Sequence, residues 1–484
     1  PTRFLGAEPM PSPDPKWSLL RSHYGLYKDK DNDGNNKLST TGGVYGVAAS
    51  NVERDVATNY FDEQQLLPVV SNAQFIFSMT TAAANHTPPN VGFLHLFIDP
   101  VITLWNPYNV ELRFSKMEME FYRFPLDINF MINGVSRASG DGYVNIANMF
   151  NAGNGGGWGN QDDKPYRARI HPLSVGDDIV MKPGEYKIFS PTAPFQRHHQ
   201  QWQYTKGVIL KEGWIPGGEG GGVGTRFLMA TDDGSWAGTV GGAWIQLKAD
   251  DVVTLAVRAR KVSRLGTGFE ETNGGEIAAY LKVFQGDGGT QSLGANIEQQ
   301  LDLTRTQVGA IELDLADLSV NLPDIGPLDL PIYIPNEQFV TTHGAANIGK
   351  VPFLNASLRL KTENDSNDII SEPNSSLWLH NGVTNPYFTT GITGDQNELE
   401  KAHQYELTWT GMTDWTDIPG VEYNPDNNRG YGGTGVTSGT GVEFAPFHQI
   451  PLAPATSLAQ FSHAPLNAGG QAPLTSQIVG NSFN

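Results

Sequence analysis

Apolar and polar residues alternate at period two along much of this chain. The clearest case is Leu126, Ile128, Phe130 and Ile132, which interleave with Asp127, Asn129 and Met131. Such a run turns one face to a core and the other away from it, the pattern of a β-strand. It ends at Asn133-Gly134, the pair best suited to the positive φ angles of a two-residue hairpin, so a strand and a tight turn are expected there. Similar runs recur at residues 91–98, 116–124, 185–190, 244–248, 252–260, 277–284, 354–360, 376–380 and 405–410, most of them closed nearby by Gly, Asp, Asn or Pro. Residues 310–320 alternate almost perfectly but lead into the proline-rich 322–335, which suits an edge strand and a linker, not a central strand.

Helical spacing is scarce. Val56, Tyr60 and Leu67 allow one short helix over 52–67, which Pro68 stops. The expected fold is therefore mainly β, with two or more antiparallel sandwich or jelly-roll-like domains, extended arms and Gly-rich loops. The glycine-dense stretches 151–160 and 217–224 are expected as surface loops. The expected organisation is an extended arm over 1–70, a first β-sandwich over 71–300, an edge strand and Pro-rich linker over 301–335, and a second β-rich domain with an extended tail over 336–484.

Composition supports this picture. Of 484 residues only 17% are charged, whereas Gly numbers 55 and Pro 31, so long Glu-, Lys- and Ala-rich helices are not available. The formal charge of −19 repels phosphate backbones and anionic membranes, and nucleic acid is not an expected partner. With no cysteine, disulfides, thiolate metal sites and cysteine nucleophiles are excluded. No window of about 18 apolar residues exists and Pro1 opens no signal-peptide pattern, so no membrane contact is expected for the chain as given.

Candidate chemistry is sparse. Asp29, Asp31, Asp33 and Gly34 have the alternate-carboxylate spacing of a calcium loop, with Asn35 as a backbone ligand. Thr40 stands where a bidentate Glu would complete a helix-loop-helix hand, and a solvated acidic turn is the commoner fate of such a run. Calcium is the one cofactor this spacing admits. The acidic loop over 417–428 lacks it. His198 and His199 lie among Gln and aromatic residues, but neighbouring strand residues face opposite ways, so the cluster reads as a contact surface before a metal site. No zinc-protease helix, nucleophile elbow or phosphate loop is present in the sequence. Gly430-Tyr-Gly-Gly-Thr-Gly435 matches the dinucleotide spacing without a strand and helix to frame it. Acidic pairs such as Glu400 and Glu406 have no spacing that marks them as catalytic, and no enzyme activity is expected. Trp105, Asn106, Pro107, Tyr108 and Asn109 form a constrained corner, since Asn before Pro is pushed to an extended conformation and the aromatics can pack around the turn.

Several segments together resemble one family. Thr103-Leu-Trp-Asn-Pro-Tyr-Asn-Val-Glu-Leu112, Pro454-Ala-Thr-Ser-Leu-Ala-Gln-Phe-Ser-His-Ala-Pro-Leu466 and Ile478-Val-Gly-Asn-Ser-Phe-Asn484 are similar to the Verru_Chthon cassette protein A family, envelope-associated proteins of verrucomicrobial type. Leu67-Pro-Val-Val70 and Lys182-Pro-Gly-Glu-Tyr-Lys-Ile-Phe-Ser190 add to the resemblance, which spans about Leu67 to Asn484. It implies a pilin-like relative and a central portion of a longer precursor, and it carries over no catalytic residue.

The function this implies is a structural subunit of an exported cell-surface or extracellular assembly: a filament, appendage or surface layer. Partners would be further copies of the chain or other pilin-like subunits, with the arm 1–15 and the tail 467–484 packing on neighbours. A carbohydrate-binding or carbohydrate-cleaving sandwich is the alternative, suggested by 10 Trp and 16 Tyr. A viral capsid-like jelly roll is a further one.

The acidic loop generates a direct prediction. If calcium binds the folded chain through Asp29, Asp31 and Asp33, the melting temperature rises with the logarithm of calcium concentration, and Asp31→Ala removes the response. Melting curves that ignore calcium in both proteins would leave the solvated turn as the correct reading.

Overall fold

The computed structural model describes residues 29–30, 36–37, 68–82, 91–106, 109–122, 124–137, 141–146, 166–174, 177–191, 208–214, 225–228, 246–248, 250–259, 278–285, 306–313, 324–330, 351–360, 405–415, 421–424, 429–432, 448–449 and 477–478. Of these, 72% lie in strands and 1% in helix, so the protein is mainly β. The short helix expected over 52–67, the glycine-rich loops 151–160 and 217–224 and the strand expected at 376–380 lie outside the described residues.

In chain order the first strands are β1 (Asp29–Lys30), β2 (Asn36–Lys37), β3 (Val69–Ala82), β4 (Val91–Trp105), β5 (Leu112–Phe114), β6 (Lys116–Tyr122), β7 (Leu126–Ile132), β8 (Val135–Ser136) and β9 (Val144–Asn145). Next come β10 (Tyr166–Ile170), β11 (Ile179–Met181), β12 (Tyr186–Ser190), β13 (Val208–Glu212), β14 (Thr225–Leu228), β15 (Gln246–Lys248), β16 (Val253–Ala259) and β17 (Ala278–Gln285). The last are β18 (Thr306–Leu313), β19 (Ile325–Leu330), β20 (Val351–Leu360), β21 (Tyr405–Gly411), β22 (Val421–Asn424), β23 (Arg429–Gly432), β24 (His448–Gln449) and β25 (Gln477–Ile478).

Twelve strands form one sheet, ordered β18-β17-β6-β10-β13-β12-β4-β3-β20-β21, with β14 and β15 also on β4. Its axis is the long antiparallel pair of β3 and β4, which runs from Val69↔Trp105 to Ala82↔Phe93 with one register shift between Val70 and Asn72. The other side of β4 is shared in series by β15, β14 and β12. Pro100 falls in the break between the β14 and β12 pairings on that side of β4, while it stays opposite Phe75 of β3. Pairing is antiparallel throughout this sheet except for β10 with β13.

The second sheet runs β19-β16-β7-β8, with β9 also on β7. Asn133 and Gly134 join β7 to β8 at φ 52° and 76°, the mirror-image turn that the sequence predicts. Asn133 also ties this turn to the β15–β16 connection. Its side-chain Nδ2 donates to Asp251 Oδ1 at 2.7 Å, and its Oδ1 accepts from the Val252 backbone at 2.9 Å.

The core lies where the two sheets face each other. The large sheet contributes Phe75, Phe77, Leu96, Ile98, Met119, Phe121, Leu281 and Leu358, and the smaller one Ile128, Phe130, Leu255 and Val257. Phe124, in the passage from β6 to β7, packs edge-on against Phe75 and Phe77 at 5.2 and 5.7 Å and tilts against Phe121 at 4.8 Å. Removing a fully buried Phe from such a position costs about 3–5 kcal/mol.

β20 and β21 come from the segment read as a second domain, yet they complete the sheet of the first. β20 pairs with β3, and Phe353, Leu354, Ala356, Leu358, Leu407 and Trp409 join the same core. The 301–335 boundary therefore does not divide two cores among the described residues. Period-two alternation states that a strand has a buried face, but not which sheet buries it. Within 301–335, β18 ends the described order of the large sheet, and the proline-rich stretch supplies β19 at the end of the smaller one.

The edges of the two sheets are treated differently. β8 and β9 are two residues each. β19 carries Pro327, and its register with β16 shifts between Leu255 and Val257. β18 is irregular opposite Val283 and Phe284. β21 pairs with β20 through seven consecutive residues with no shift, and it contains no Pro, Lys or Arg. On its outer side no described strand pairs with it.

Candidate functional site

The centre of the large sheet is buried on both faces, and the face away from the main core holds the best-built polar groups. At its centre Ile76, Val101 and Ile188 pack with Trp214, Met412 and Trp415. Around them lie the buried polar side chains Asn72, Gln74, Ser78, Asp99, Thr103, Asn355 and Ser357. A buried polar group must find a partner or cost free energy, and Ser357 Oγ donates to Asn72 Oδ1 at 2.7 Å.

Trp105 and Asn106, the first residues of the expected corner, stand at the end of β4. Asn106 is fully buried, and its side-chain amide donates to three backbone carbonyls: Val110 at 2.7 Å, Lys182 at 2.8 Å and Met181 at 3.2 Å. Its backbone N–H donates to Glu185 O at 2.9 Å. Trp105 stacks on Tyr186 at 5.5 Å and 7°. Burial pushes the Tyr186 hydroxyl well above the usual tyrosine range, so it stays neutral. Pro107 and Tyr108 lie outside the described residues.

Three segments far apart in the chain therefore meet here. Val69 and Val70 pair with Trp105 and Leu104, and the Lys182–Glu185 turn closes over Asn106. That turn is built locally: Gly184 takes φ 73°, and Glu185 accepts the Lys182 N–H at 2.6 Å. One side chain thus ties the end of β4, the loop after it and the turn between β11 and β12 together.

A second cluster was not singled out from the sequence. On β6 and β10, Lys116, Glu118, Glu120, Arg167 and Arg169 share the face opposite Met117, Met119, Tyr166 and Ala168. Glu118 contacts Lys116 at 3.2 Å, Arg169 at 3.0 Å and Arg167 at 3.5 Å, and Glu120 takes the Arg167 Nε–H at 2.8 Å. Register places Arg169 opposite Glu118 and Arg167 opposite Glu120. Burial alone would raise the Glu118 carboxyl, but Arg169, Lys116 and Arg167 together outweigh it and hold the group well below the usual carboxylate range. A carboxylate so held is a poor general acid or base near neutral pH, so the cluster suits cohesion and not proton transfer.

The remaining candidates do not converge on a site. β1 pairs with β2 through Asp29↔Lys37 and Lys30↔Asn36, while Asp31, Asp33 and Asn35 lie outside the described residues. His198, His199 and Glu400 lie outside them too. Gly430 and Gly432 sit within β23, paired with β22, not in a phosphate-binding turn before a helix. Among the described residues no group of three or more His, Asp or Glu could hold a metal ion. The tryptophans described, Trp105, Trp214, Trp409 and Trp415, are all buried and form no exposed platform for a sugar.

Two substitutions measure these clusters. Asn106→Ala leaves buried carbonyls without their donor and should destabilise the fold by about 2–4 kcal/mol in denaturant titration. Asn106→Asp should be worse, since it sets a carboxylate against those same carbonyls. For Glu118 the folded pKa is depressed, so its stabilisation is complete above its ordinary value of 4.5 and is lost as pH falls below that toward the folded value. Glu118→Gln should cost about 3–5 kcal/mol at neutral pH and flatten the acid side of the stability profile. An unchanged acid profile would show that the cations do not act through this carboxylate.

No protein-family model, curated protein or solved structure matches this chain.

Proposed function

We propose that this chain is a structural subunit of an exported cell-surface or extracellular assembly and that it acts by self-association. The observation that carries this reading is the seven-residue outer edge of β21, which ends a twelve-stranded sheet and pairs with no described strand. A regular, unblunted strand edge offers a row of backbone donors and acceptors, and its natural partner is another strand. The polar clusters add support, because Asn106, Glu118, Glu120 and their partners are engaged in holding strands together. The resemblance to pilin-like envelope proteins supplies the setting, and an acidic, cysteine-free composition is compatible with an exported protein.

Size is the test. Light scattering and electron microscopy of the purified chain, over a range of protein and calcium concentrations, should show species larger than one chain that grow with concentration. Monomers under every condition would overturn self-association.

A further inference from the structure

We propose that Asn133-Gly134 is a site of covalent self-modification, deamidation through a cyclic imide, which the fold restrains through Asp251 and Val252. Asn133 stands at φ 52° and Gly134 at φ 76°, and both are exposed to water. The turn selects this pair, because asparagine and glycine adopt positive φ more easily than other residues. The same pair is open to attack by its own backbone, since glycine has no side chain to shield its nitrogen.

The step balances within the chain and one water. The Gly134 backbone nitrogen attacks Asn133 Cγ, the new C–N bond closes a cyclic imide, the Cγ–Nδ2 bond breaks, and ammonia leaves with the proton that the Gly134 nitrogen gives up. Water then opens the ring at either carbonyl, leaving aspartate or isoaspartate at position 133. Nothing is oxidised or reduced.

In the folded chain the reacting arm is held elsewhere. Asn133 Nδ2 donates to Asp251 Oδ1 at 2.7 Å, its Oδ1 accepts the Val252 N–H at 2.9 Å, and its own N–H donates to Val252 O at 2.9 Å. Asp251 is fixed in turn, since its Oδ2 accepts the Lys248 N–H at 2.7 Å. To bring Cγ over the following peptide, the side chain must give up both amide contacts. The rate is therefore set by how often this tie opens and not by the exposure of the turn.

The change runs one way. A carboxylate at position 133 has no donor for Asp251 and sets like charges where a hydrogen bond stood, and isoaspartate adds a methylene to the backbone within the turn between β7 and β8. A chain that loses this amide loses the tie between that turn and the β15–β16 connection. The site thus records the time the turn has spent open.

Peptide mapping by mass spectrometry, after incubation of the full chain at mildly alkaline pH in buffer and in guanidinium chloride, tests this. Asn154-Gly155, Asn273-Gly274 and Asn381-Gly382 serve as standards with the same dipeptide. In denaturant all should convert at similar rates, whereas in buffer Asn133 should convert at least about tenfold more slowly than in denaturant. Asp251→Ala removes the acceptor and should raise the rate in buffer several-fold with the far-ultraviolet circular dichroism unchanged. Asp251→Asn, which keeps an acceptor oxygen, should stay near the parent. An Asn133 that converts as fast in buffer as in denaturant overturns the proposal, and so does a folded Asp251→Ala chain no faster than the parent. Should Asp251→Ala fail to fold, the comparison of buffer with denaturant in the parent decides alone.

Discussion

The pairing of β3 with β4 is the constraint on which the rest of the structure depends. Two strands of fourteen and fifteen residues run side by side almost without interruption. Every other part of the large sheet attaches to one of them, β20 and β21 through β3 and the remaining strands through β4. Their inward side chains, among them Phe75, Phe77, Leu96 and Ile98, form the floor on which the smaller sheet and Phe124 pack. A pair this long fixes its register strongly, because a slip of one residue would turn those side chains to the wrong face.

Burial of the opposite face has a chemical consequence. In a sheet with one wet face, Lys116, Glu118, Glu120, Arg167 and Arg169 would be solvated and worth little as pairs. Here Lys116, Glu118, Glu120 and Arg169 are buried and Arg167 is part-buried, so each enclosed charge needs its neighbour. Such a cluster adds less net stability than an apolar one of equal volume, but it penalises mispairing heavily, because a slip would leave charges buried and alone. Asn106 acts similarly at the end of β4. It accepts no substitute easily, since three carbonyls from two loops rely on one amide.

Both devices specify strand order rather than reaction chemistry, and this bears on function. The charged and amide groups of these two clusters are spent internally, and among the described strands none pairs with the outer side of β21. In a sheet this wide, an open edge is where the interior order can be extended to another molecule. The contrast between β21 and the blunted β18 and β19 gives that extension a direction.

Much of the local structure was legible in the sequence. The alternation from Leu126 to Ile132 and the Asn133-Gly134 turn depend on interactions between near neighbours, and the structure has them where the pattern puts them. At Trp105 and Asn106 the partners come from Met181 to Tyr186, far away in the chain, which local pattern does not name. Tertiary structure alone decided the rest. The alternation Lys116-Met-Glu-Met-Glu-Phe-Tyr122 reads as a half-wet strand, and only the covering of the second face turns its charges into a buried network. Nor could pattern show that β20, nearly three hundred residues from β3, would join its sheet. Strand identity is a property of short-range alternation, whereas strand partnership is settled by which long-range pairing closes the core and leaves no buried charge or backbone group without a partner.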